Sequence, residues 1–139
     1  MKRKIITLVL TALLALGAAA ALAACDGGTS AEKPPTGVKE ITTSQQLSSN
    51  VRYTNYQVIV EADVDWDNMS DSEKQKIIDY AFKESRKQAA ENDINNFNII
   101  AMKEGGEPST VLFMWNGGNE EVFLYSDGKP TSSIPIPAE

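Results

Sequence analysis

Few side chains in this chain are suited to chemistry. Its 139 residues include no histidine and one cysteine, Cys25. Without histidine, Ser-His and Cys-His nucleophilic mechanisms are excluded. A lone thiol makes neither an internal disulfide nor a zinc cluster. Carboxylates are more plentiful. Glu61, Asp63, Asp65, Asp67 and Asp71 crowd into "EADVDWDNMSDSE", and Asp63, Asp65 and Asp67 have the D-x-D-x-D spacing that opens a calcium loop of EF-hand type. The rest of such a loop does not follow, because Asn68 stands where the turn needs glycine and Lys74 where a bidentate glutamate belongs. A solvated strand face leading into acids favourable near a helix N-terminus is the simpler reading. Glu120 and Glu121 adjoin, so on a strand they point to opposite faces and cannot act as an acid/base pair. The glycine pairs sit in hairpin links, where they are turn chemistry and not a phosphate loop. These residues predict a protein that is not an enzyme, with no cofactor and no metal site. A metal- or small-ligand-binding role for the acidic segment 61–71 is the alternative.

Charge is divided unevenly. Lys2, Arg3 and Lys4 open the chain, and every acid lies beyond Cys25, so ten basic residues face nineteen acidic ones from there onward, a net charge of −9. Such a surface repels nucleic acid and anionic headgroups. Between the basic start and Cys25, residues 5–24 carry no charge and end in "GAAAALAAC". An apolar run of about twenty residues is long enough to span a bilayer. A basic start, an apolar centre and a small-residue end equally describe a secretory signal peptide.

Leu22, Ala23, Ala24 and Cys25 resemble the lipobox of bacterial lipoproteins: an aliphatic residue, two small ones, then cysteine. The resemblance implies cleavage between Ala24 and Cys25 and attachment of a diacylglycerol to the Cys25 thiol. It also implies residence on the extracytoplasmic face of the cell membrane, where the partner is membrane lipid. Two acyl chains give a stable anchor where one gives only marginal binding. In Gram-negative members of that family an aspartate after the cysteine, here Asp26, tends to signal retention at the inner membrane.

The elements that must position these residues follow from hydrophobic period. Residues 25–50 are rich in Gly, Ser, Thr, Pro and Gln, with Val38, Ile41 and Leu47 the sizeable apolar side chains, and predict a flexible tether with at most a short helical turn near residues 45–49. Tyr56, Val58, Val60, Ala62, Val64 and Trp66 alternate with polar residues, which predicts a half-buried strand with Ile59 an exception on its wet face. Ser70 and Glu73 form a capping box that opens a helix. Ile77, Ile78, Ala81, Phe82, Ser85 and Ala89 make the helix's apolar stripe. Strands follow at 96–103, 110–115 and 120–125, joined by "EGGEP" and "NGGN" links.

The fold predicted is therefore α+β: one helix packed on a four-stranded, mainly antiparallel sheet in the order β-α-β-β-β. Its parts are a signal peptide (1–24), a tether (25–50), a small domain (51–126) and an extended tail (127–139). Alternation on the 110–115 strand puts Phe113 and Trp115 on one face and Leu112 and Met114 on the other. One face belongs under the helix. An exposed apolar opposite face would bind an envelope protein or a ligand. The combined expectation is a membrane-anchored, non-catalytic binding or accessory module at the cell envelope.

Overall fold

Two left-handed residues in sequence, Ser49 (φ 48°) and Asn50 (φ 65°), reverse the chain between strands β1 (Val38–Ser48) and β2 (Val51–Val60). Positive φ at both central positions is the two-residue hairpin geometry whose twist matches that of paired strands. Asp127 (φ 48°) and Gly128 (φ 72°) repeat the device between β5 (Glu121–Ser126) and β6 (Lys129–Pro135). Between these hairpins lie helix α1 (Asp71–Glu91), β3 (Phe97–Lys103) and β4 (Val111–Asn116). The structure is a computed structural model; it describes residues 32–107 and 110–139, and the predicted signal peptide, the lipobox-like residues 22–24 and Cys25 lie outside them. The unit that carries the sheet runs from Pro34 to Glu139.

All six strands form one sheet in chain order, β1 to β6. Neighbours are antiparallel except β2 and β3, which run parallel from Thr54↔Phe97 to Val60↔Lys103. The four-stranded, mainly antiparallel arrangement is thus corrected to a six-stranded mixed sheet. Each departure has a physical reason. The helix links β2 to β3, and a helical crossover is what lets successive strands run parallel. β1 occupies 38–48, inside the predicted tether, because an edge strand with one face toward solvent needs few apolar residues; Val38 is buried and Ile41 half-buried on the core side. β6 forms within the predicted tail because Pro130 and Pro135 are tolerated on a sheet edge, where no further strand needs their amides.

The first predicted strand ends at Val60 rather than at Trp66. Glu61 donates its amide to Gly37 O (2.8 Å), the chain turns, and a short 3-10 segment at Trp66–Asn68 folds the indole inward. Trp66 is still buried, against Phe113 at 5.9 Å, although it is not on the strand. The other three predicted strands agree with β3, β4 and β5 to within a residue at each end.

Helix α1 forms as its sequence directs. Ser70 Oγ accepts from the Glu73 amide (3.3 Å), and the Ser70 amide donates to Glu73 Oε2 (3.0 Å), closing the capping box. At the other end Asp93 turns left-handed (φ 54°), and the Ile94 amide returns to Ala89 O (2.8 Å). Its buried stripe is Ile77, Ile78, Ala81, Phe82, Ser85 and Ala89. Against it lie Tyr56, Val58 and Val60 of β2, Ile99 and Ala101 of β3, Phe113 of β4 and Val122 of β5. Each fully buried large side chain contributes about 1.5–3 kcal/mol over its exposed state. The core therefore sits on one face of the sheet.

Candidate functional site

Strand register decides which side chains share the face away from α1. Gln57, Ile100, Met114 and Phe123 pair in one row across β2 to β5; Ile59, Met102 and Val111 pair in the next, and Tyr125 extends it on β5. These apolar residues are all only half-buried. They also differ in kind from the half-buried residues that pack against the core, such as Ile41, Trp115, Leu124 and Ile134, which lie on the helix side. No described element crosses over them.

One border of this patch is a ladder of amides. Asn55 Nδ2 donates to Gln46 Oε1 (3.2 Å), Asn98 Nδ2 donates to Asn55 Oδ1 (2.9 Å), and the Gly117 amide donates to Asn98 Oδ1 (3.1 Å). The ladder ties β1, β2, β3 and the β4–β5 link together, and it leaves Asn55 buried despite its polarity. An apolar centre with a polar border of satisfied hydrogen bonds is the composition of a protein-binding surface.

The four side chains predicted to form a partner surface divide between the two faces. Phe113 is fully buried in the core. Trp115 faces α1, with its ring 5.3 Å from both Phe82 and Phe97, and its Nε1 donates to Asn119 O (2.8 Å). Leu112 sits in the register shift where β4 departs from β3 and is buried with the core. Met114 alone of the four lies on the helix-free face. Ile59, Ile100, Met102, Val111, Phe123 and Tyr125 join it there. The alternation of Asn98, Ile100 and Met102 opposite Ile99 and Ala101, together with the exceptional Ile59, was the signal that could have found them.

On the other side of the sheet, Pro137, Ala138 and Glu139 lie beside the helix flank. Arg86 Nη1 donates to Pro137 O (3.0 Å) and Ala138 O (3.3 Å), while its guanidinium lies over the Phe82 ring (5.2 Å). A concavity of about 1150 Å³ opens there between α1 and the final residues, floored by Phe82, Ile94 and Phe97.

The acidic segment gives no cluster. Glu61, Asp63, Asp65, Asp67 and Asp71 are all exposed, and among the described residues no three acids, histidines or cysteines are placed to hold a metal ion. Asp65 accepts instead from Asn68 Nδ2 (2.7 Å), and that hydrogen bond holds its carboxyl below the usual carboxylate range. Among the described residues no helix is long and apolar enough to cross a membrane. Comparison with known proteins gives no matching family model, curated protein or solved structure.

Proposed function

We propose that this protein is a lipid-anchored, non-catalytic binding module that presents the helix-free face of its sheet to a partner protein at the cell envelope. The observation that carries the reading is the patch of half-buried apolar side chains from Ile59 to Tyr125, with no described element over it. Contiguous apolar surface rimmed by polar groups marks interaction sites on small domains. Support for the anchor comes from Leu22-Ala23-Ala24-Cys25, whose pattern predicts acylation of Cys25. The partner offers a complementary apolar surface with few charges, since the patch itself has none.

Separate substitutions test the two halves of the proposal. Cys25→Ala is expected to abolish labelling by a radioactive fatty acid and to leave the precursor uncut. Normal processing and membrane retention of that variant would remove the anchor. A photo-crosslinking residue at position 114, activated in the native cells, is expected to trap a partner, and Phe123→Lys is expected to suppress the product without lowering thermal stability. If no product forms, or if Phe123→Lys leaves it unchanged, the sheet face is not the binding surface.

A further inference from the structure

The two edges of the sheet are treated differently. β6 carries Lys129, Pro130 and Pro135, the devices that keep an exposed edge from pairing. β1 has neither proline nor charge from Ile41 through Ser48. It also places Leu47, 71% exposed and the most exposed large apolar side chain of the described residues, on the edge. Such an edge is open to another strand.

Its hydrogen-bonding groups are already sorted. Thr54, opposite Gln45, donates its amide away from β1, to Asn96 O (3.0 Å). The Gln45–Thr54 pair is therefore a non-hydrogen-bonded one, and alternation makes Ile41, Thr43, Gln45 and Leu47 the residues whose N–H and C=O point outward. An incoming antiparallel strand must offer the same spacing of outward groups, and β1 itself does.

We propose that β1 pairs with β1 of a second copy of this chain, antiparallel about a two-fold axis at Ser44, to make one continuous twelve-stranded sheet. In that register Ile41 of each copy meets Leu47 of the other, and Thr43 meets Gln45, through hydrogen-bonded pairs. Thr42 then faces Gln46, and Ser44 faces Ser44 across the axis. Both copies of the exposed Leu47 gain an apolar neighbour, and Lys39 and Glu40 face Ser49 and Ser48, so no like charges oppose each other despite the net negative chain. Shifting the register by two residues sets Leu47 against Thr43 and loses both apolar pairs. Cross-strand pairs of this kind are the unit of sheet stabilisation, and an isologous contact that closes on itself yields a dimer, not a fibre.

The test uses the full chain on the membranes of expressing cells. Ser44→Cys brings two thiols to a close non-hydrogen-bonded position, within the Cα separation a disulfide accepts. Mild oxidation is expected to give a disulfide-linked dimer on non-reducing gels, absent from the unsubstituted chain and from Ser132→Cys on the other edge. Adding Thr43→Pro removes only outward amides, which an edge strand tolerates, and is expected to cut the dimer yield about tenfold or more. Leu47→Lys, at a site too exposed to affect folding, is expected to reduce it as well. Equal linkage at Ser132, linkage unaffected by either second substitution, a product of any other mass, or no linkage would each overturn the proposal.

Discussion

Ser85 lies in the middle of α1 on its buried stripe, with no exposure, and its Oγ has no hydrogen-bond partner. A buried hydroxyl left unpaired costs about 1–3 kcal/mol of desolvation. Ser85→Ala removes that cost and adds about 0.5 kcal/mol of helix propensity. The lost oxygen leaves a void smaller than a methyl group, which takes back less than about 1 kcal/mol. The net expectation is stabilisation by about 1–2 kcal/mol, or a rise in Tm of about 5–15 °C for a domain of this size. Urea and thermal unfolding followed by Trp66 and Trp115 fluorescence and by far-ultraviolet circular dichroism measure it directly. Tyr56 OH, also buried and unpaired, gives an independent check, since burial pushes its ionisation upward and Tyr56→Phe is expected to stabilise as well. A Ser85→Ala variant with unchanged or lowered stability would mean that the hydroxyl is satisfied, and the packing of α1 on the sheet would have to be revised there.

Phe113→Ala empties a fully buried site and is expected to destabilise by about 3–5 kcal/mol, whereas Met114→Lys, one residue away on the other face, is expected to change unfolding by less than about 0.5 kcal/mol. Gly117→Ala would bring its Cβ to 2.5 Å from Phe97 O, a backbone atom, so a loss of about 1–3 kcal/mol in urea unfolding is expected. The Ser70 hydroxyl and amide hold the Glu73 carboxyl below its ordinary pKa. A depressed carboxyl contributes stability that is present above the unfolded value, about 4.3, and is lost as pH falls through the folded one. Glu73→Gln is therefore expected to flatten the acid limb of the stability–pH profile, while stability differences near pH 7 stay constant.

The parts of the fold legible in sequence are those where one residue pattern had one physical meaning. The capping box and the stripe from Ile77 to Ala89 could only be a helix lying on something apolar, and they appear residue for residue. β1 was hidden because strand identity there rests on pairing, not on composition: "ITTSQQLS" buries almost nothing by itself. Its β-branched Ile41, Thr42 and Thr43 were the available local signal. β6 was hidden by its prolines, although Asp127-Gly128 is a strong hairpin dipeptide and should have demanded a partner for β5. Ala62, Val64 and Trp66 extended a period-two pattern past the turn at Glu61, since alternation cannot distinguish a strand from a chain that leaves the sheet, exposes Ala62 and returns Val64 and Trp66 to the same core. The candidate surface was half legible for a related reason. That β4 is apolar on both faces follows from "VLFMW", but which neighbours share Met114's face depends on registers set by the parallel β2–β3 pairing and by the shift at Leu112.

The sheet face and the sheet edge are connected by symmetry. A two-fold axis at Ser44 stands perpendicular to a continuous sheet, so both copies show their helix-free faces on the same side. Each proposed dimer would then display two apolar patches, separated by β1 and its copy with their Thr, Ser and Gln side chains. Two modest sites held in fixed geometry bind a partner with matching repeats far more tightly than one, because the second contact is intramolecular. The proposed anchor would make the same contribution to formation of the proposed dimer. If Cys25 is acylated as proposed, confinement to a membrane would raise the local concentration of the chain. A weak edge contact that would dissociate in dilute solution would thereby be favoured.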